Sequence, residues 1–182
     1  MISPTPAPAT SRRFGAFAMV LGVMVLAGCT PSPAPTPTPT AAFASEEEAF
    51  AAAEETFTEY ADATNSTDLT DPSSFAEVFD WLTGEALASA RENYSQFYAA
   101  GITRSGSSAF DAFTPIEYAH ATVTARTCLD VSEVQLSNAD GSSAVPADRP
   151  PRQSIEVVFV VADTDTKLAI SSTTQTENLQ CG

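Results

Sequence analysis

The hydrophobic period of this chain changes once, at Gly101, and that change sets its fold class. Before Gly101 apolar residues recur every three or four positions, the spacing of one helical face; after it they alternate, as in strands with one covered face. Ser45-Glu46-Glu47-Glu48 makes a capping box and sets three carboxylates against the positive end of a helix dipole. Phe50, Ala53, Phe57 and Tyr60 then form one stripe on a helix ending near Ala63. Asp71-Pro72 starts a second helix, with aspartate as N-cap and proline at N1, and Phe75, Val78, Phe79 and Leu82 share a side. Thr83 caps a third, lined by Leu87, Ala90, Tyr94, Phe97 and Tyr98. Gly101 ends it in the left-handed conformation, with Ile102 closing over the last turn.

Beyond Gly101, the odd positions from Ala119 to Val131 are mostly apolar, while the even ones include His120, Thr122, Thr124, Arg126 and Cys128, which predicts one strand with a buried and a polar face. Ile155 to Val161 is nearly continuously apolar, as expected of a strand covered on both faces. Asp163-Thr164-Asp165-Thr166 turns into a last strand from Lys167 to Gln175, Asp140-Gly141 marks a hairpin turn, and Pro146 to Arg152 is a proline-rich loop. Helices first and antiparallel strands after them predict an α+β domain, its helices packed on one face of a curved antiparallel sheet in a half-cone.

The start of the chain is an address rather than part of that fold. Arg12 and Arg13 precede an apolar stretch from Phe14 to Ala27, shorter than the roughly 20 residues of a membrane span and followed by small residues, the composition of an export signal. Leu26-Ala27-Gly28-Cys29 resembles the lipobox of bacterial lipoproteins. The resemblance implies cleavage before Cys29, acyl chains such as palmitate on the new N-terminus, and a protein held by lipid on the extracytoplasmic face of the cell membrane. The arginine pair fits Sec export or, with one residue fewer before Phe14 than usual, the twin-arginine route.

Three segments result: a signal peptide over 1–28, a lipidated linker over 29–44 and a single α+β domain over 45–182. Thr30 to Thr40 alternates proline with small residues and has no large apolar side chain to pack. As polyproline II at about 3.1 Å per residue, these 11 residues reach about 34 Å from the lipid. Cleavage removes two of the eight basic residues and none of the 23 acidic ones, so six stand against 23 in the mature chain, a net charge of −17. That field repels phosphate backbones and anionic head groups, which excludes nucleic acid as a partner and leaves the lipid on Cys29 as the membrane contact. Asn65-Ser66-Thr67 and Asn93-Tyr94-Ser95 match glycosylation sequons, to which a bacterial lipobox gives little weight.

With Cys29 taken by lipid, Cys128 and Cys181 are the remaining cysteines, and an oxidising compartment predicts a disulfide between them. No Cys-x-x-Cys, glycine-rich phosphate loop, Gly-x-Ser-x-Gly elbow or His-Glu-x-x-His occurs, so neither a metal nor a cofactor is expected. Asp163 and Asp165 open like a calcium loop, but Lys167 and Leu168 fall where an oxygen ligand and a glycine belong.

The helix-then-sheet order, with the run from Ala121 to Cys128 and its later partner cysteine, is similar to small exported lipoproteins with a nuclear-transport-factor-2-like, or cystatin-like, cone. That resemblance covers Ser45 to Cys181 and implies a cone-shaped cavity. It includes isomerases and dehydratases that place Asp, His or Tyr inside the cone, and His120 is the one imidazole available. By strand parity His120 would share a face with Tyr118 and Arg126. The leading expectation is a tethered, non-catalytic module that binds a small apolar molecule or an envelope protein. The alternative is an isomerase- or dehydratase-like enzyme using His120, and a filled cone with an apolar outer patch would indicate an assembly role.

Overall fold

Helix formation begins where the capping box puts it. The computed structural model describes residues 42–181; the segment expected as an export signal, Cys29 and the Pro/Thr run up to Thr40 lie outside the described residues. In α1 (Glu46–Ser66) the Ser45 hydroxyl accepts the Glu48 N–H at 3.1 Å, and the Glu48 carboxylate accepts the Ala44 N–H at 2.8 Å. Two residues ahead of that cap, Phe43 is already buried in the core against Tyr118, so the packed chain starts before the box. The helix runs three residues past Ala63 because Arg104 donates to the Thr64 and Asn65 carbonyls. This guanidinium supplies the positive charge that the last turn lacks.

Asp71 caps a short 3-10 turn, Pro72–Ser74, by accepting from the Ser73 N–H at 2.9 Å, and the chain continues into α2 (Phe75–Phe79). Thr83 stands at the N-cap of α3 (Gly84–Ala100) without a side-chain bond to the helix. Gly101 ends α3 at φ 67°, and the Ile102 N–H closes onto the Phe97 carbonyl at 2.9 Å, as its spacing indicated. The apolar stripe of α3 is only partly covered, however. None of its residues is fully buried and Tyr98 is 51% exposed, because α3 packs at the open edge of the sheet, against its last strand.

The strands are β1 (Thr103–Ser105), β2 (Ala109–Ala119), β3 (Thr122–Asp130), β4 (Gln135–Ser137), β5 (Arg152–Val161) and β6 (Leu168–Gln175). β2, β3, β5 and β6 lie side by side in that order, all antiparallel, while β1 and β4 form a small separate pair. The expected architecture is therefore present: helices on one face of a curved antiparallel sheet. Phe57 and Val78 from the helices meet Val123, Val157, Phe159 and Ile170 from the sheet in the core. β2, an edge strand, carries Pro115 and two register shifts, which blunt its free edge against further pairing.

Two strand readings need correction. The alternation from Ala119 to Val131 is not one strand, since His120 and Ala121 form a two-residue turn between β2 and β3, both at positive φ (52° and 65°) as a type I′ hairpin demands. A two-residue turn sets Ala119 opposite Thr122 and Tyr118 opposite Val123, so the inward positions change from even to odd across it; the small residues Ala119 and Ala121 continue the odd-position apolar pattern and hide that change from the sequence. Nor is β5 covered on both faces. Ile155, Val157 and Phe159 are buried under the helices, whereas Val158 and Val160 on the outer face are half-buried and Val161 is 43% exposed.

Candidate functional site

A cone forms where the curved sheet leaves its helices, and here its interior is incompletely filled. A chamber of about 270 Å³ lies between α1 and the inner face of the sheet, near the lower end of small-molecule pockets. Phe57, Leu129 and Ile155 give it an apolar wall. Tyr60 and Thr64 from α1, Ser108 ahead of β2, Gln153 on β5 and Thr173 and Gln175 on β6 supply uncharged polar groups. A groove of about 300 Å³ under α3 shares Tyr60, Thr173 and Thr174 with that chamber and adds Tyr94, Phe97, Asn93 and Glu85. The half-covered stripe of α3 thus opens the groove.

The polar groups owe their places to strand parity and helix pitch. Gln153 and Gln175 pair with inner-facing Leu129 and Ile155, so both belong to the face that otherwise forms the core. Tyr60 and Thr64 are one turn apart on α1. Burial pushes the Tyr60 phenol above its usual range, and the Thr64 hydroxyl offsets part of this. For Tyr94 burial again dominates and the neighbouring Tyr60 adds to it, against smaller opposing effects of Thr64, Arg104 and Thr67. The Thr64 hydroxyl is buried and bears on both phenols, though it makes no hydrogen bond of good geometry to either. Neutral phenols and hydroxyls of this kind bind and orient; they do not take up protons near neutral pH.

His120 stands elsewhere. It is exposed at the tip of the β2–β3 hairpin, while Tyr118 pairs with Val123 on the inner face and packs edge-on against Phe43 at 6.1 Å. Arg126 faces outward to Glu156 at 2.9 Å. The predicted grouping of His120, Tyr118 and Arg126 is corrected because the turn ends the strand on which the parity was counted.

Cys128 and Cys181 are joined, with Cα atoms 5.5 Å apart, and tie the C-terminal tail to β3. Arg152 braces the same corner, donating to the Cys181 carbonyl at 3.0 Å and pairing with Asp111 at 2.7 Å and Asp130 at 3.0 Å. Asp163 and Asp165 sit in the turn between β5 and β6, on the rim of an open depression of about 560 Å³ that also holds Glu59, Asp62, Glu77, Asp80 and Trp81. Among the described residues no group of three His, Cys, Asp or Glu side chains is arranged to hold a metal ion.

Sequence reasoning missed the cavity residues proper. The helical stripes place Tyr60 and Tyr94 in the core, Gln175 reads only as the end of the last strand, and Thr64, Ser108 and Gln153 carry no motif. The available signal was polarity at an inward parity, Gln153 ahead of Ile155 and Gln175 opposite it.

No family model and no curated protein matches the chain. Among solved structures it is similar to a Catenulispora acidiphila protein in complex with S-DNPA (17% identity, 71% of this chain and 93% of that one, TM-score 0.46). It is also similar to Aln2 from a Streptomyces species (17%, 72% and 90%, 0.44) and to the intermembrane space region of the chloroplast protein ARC6 (11%, 68% and 92%, 0.47). Likenesses this distant carry no argument about the chemistry of this chain.

Proposed function

We propose that this protein is a lipid-anchored extracytoplasmic domain whose cone is a non-catalytic receptacle for a small, mostly apolar molecule. The anchor rests on Leu26-Ala27-Gly28-Cys29 and the Pro/Thr run behind it. The receptacle rests on one observation above all: a partly open chamber between α1 and the inner face of the sheet, with an apolar wall and neutral hydrogen-bonding groups, where a domain with no ligand gains by filling the space. His120, the side chain on which the enzyme alternative depends, is at a hairpin tip and does not line the cone.

The test is equilibrium dialysis of the neutral dye N-phenyl-1-naphthylamine against the lipidated full chain in nanodiscs, with empty nanodiscs as the blank. Thr173, exposed at the junction of chamber and groove, is the place for a plug. Saturable binding is expected, weakened at least about tenfold by Thr173→Phe at unchanged melting temperature. Binding that Thr173→Phe leaves untouched, or no saturable binding, rejects the receptacle.

A further inference from the structure

Two phenols, one at the junction of chamber and groove and one inside the groove, define the ligand more closely, an inference that rests on the receptacle reading above. Tyr60 projects from α1 into both spaces and Tyr94 from α3 into the groove. Aromatic neighbours fix each ring: Phe57 lies 5.9 Å from Tyr60, and Phe75 and Phe79 meet Tyr94 edge-on at 5.0 and 5.7 Å. Thr64, one turn beyond Tyr60, adds a buried hydroxyl that makes no hydrogen bond of good geometry to either phenol. Both phenols line the same groove, and as neutral hydroxyls they are donors.

We propose that Tyr60 and Tyr94 together donate hydrogen bonds to one acceptor oxygen, a ketone, ester or amide carbonyl, on a neutral and mostly aromatic ligand seated against Phe57, Leu129 and Ile155. The lining excludes the charged alternatives. It contains no lysine or arginine to hold an anion, and its single charged group, Glu85, belongs to the groove rather than the chamber. Donors whose rings are already locked lose little freedom on binding, so an acceptor placed at the junction gains affinity that an apolar atom of the same size does not.

A pair of probes of equal shape isolates that acceptor: 2-acetylnaphthalene and 2-ethylnaphthalene, which differ by a carbonyl oxygen. Each is dialysed against the nanodisc-held full chain and against Tyr60→Phe and Tyr94→Phe, which keep the rings and remove the hydroxyls. The ketone should bind at least about fivefold tighter than the hydrocarbon to the native chain, in keeping with one or two neutral hydrogen bonds. Each variant should lose most of that preference while holding 2-ethylnaphthalene as before. Equal affinities in the native chain, or a preference that survives in either variant, overturn the paired donation and leave the receptacle standing. Binding of neither naphthalene overturns both. Equal affinities in the native chain overturn the proposal without any variant; if Tyr60→Phe or Tyr94→Phe impairs folding, Tyr60→Leu or Tyr94→Leu stands in its place and should likewise lose the ketone preference.

Discussion

Breaking the link between Cys128 and Cys181 removes the longest covalent constraint in the folded unit. The two cysteines are 53 residues apart, and closing such a loop restricts the unfolded chain by about 4 kcal/mol in the chain-entropy model. That is a large share of the roughly 5–15 kcal/mol that hold a domain together. The folded tail has other attachments, since Arg152 donates to the Cys181 carbonyl at 3.0 Å and the Thr176 N–H to the Ser154 carbonyl at 3.0 Å. The tail thus stays docked after reduction and the loss arises in the unfolded ensemble. Substitution adds a second effect, because Cys128 is 1% exposed and an alanine there leaves a small void costing about 1 kcal/mol. Urea unfolding followed by the fluorescence of Trp81, the single tryptophan, separates the two. Dithiothreitol-reduced native protein should lose about 4 kcal/mol, and the Cys128→Ala/Cys181→Ala variant about 5 kcal/mol. A loss below about 1 kcal/mol on reduction, or non-reducing peptide maps with both thiols free, refutes the reasoning.

Cys29→Ser should move the protein from the membrane pellet to the soluble fraction once the signal has been cut, and a processed variant that still pellets contradicts the lipid anchor. His120→Asn with Ala121→Gly should raise stability by about 1 kcal/mol in thermal unfolding, since both positions have positive φ and Asn-Gly is the pair such hairpins favour; a lower melting temperature contradicts the turn geometry. His120→Ala should leave probe binding in the cone unchanged, whereas a loss of several-fold would return this residue to the site. The Asp130 carboxyl is held below its usual range first by the Ser132 hydroxyl, then by the Ser132 N–H and Arg152. Because its folded-state pKa is depressed, its stabilising effect is present above the ordinary carboxylate range and fades as pH falls through that range and the depressed value. Asp130→Asn should therefore flatten acid unfolding in that window without changing the slope near pH 7, as circular dichroism across pH will show.

What the sequence by itself determined were features written within a turn or two of chain. The period switch at Gly101, the Ser45 capping box and the Gly101 stop each depend on neighbours three or four residues away and occur in the structure as read, while Asp71-Pro72 caps a 3-10 turn that leads into α2 and leaves Leu82 beyond the helix. The pairing of Cys128 with Cys181 followed from counting cysteines. Tertiary structure decided the rest, because it turned on which surfaces meet. The turn at His120 and Ala121 inverts which positions face inward, but the small residues Ala119 and Ala121 carry the apolar alternation through it, so the sequence hides a turn that moved the only imidazole out of the cone. The apolar run of β5 could not show that helices would cover one face alone, nor the stripe of α3 that its helix would settle at an open edge. Arg104, 40 residues from the helix end it completes, had no local signature. The cavity is the extreme case: Tyr60, Tyr94, Gln153 and Gln175 come from four elements, and a space is a property of packing that no stretch of chain contains.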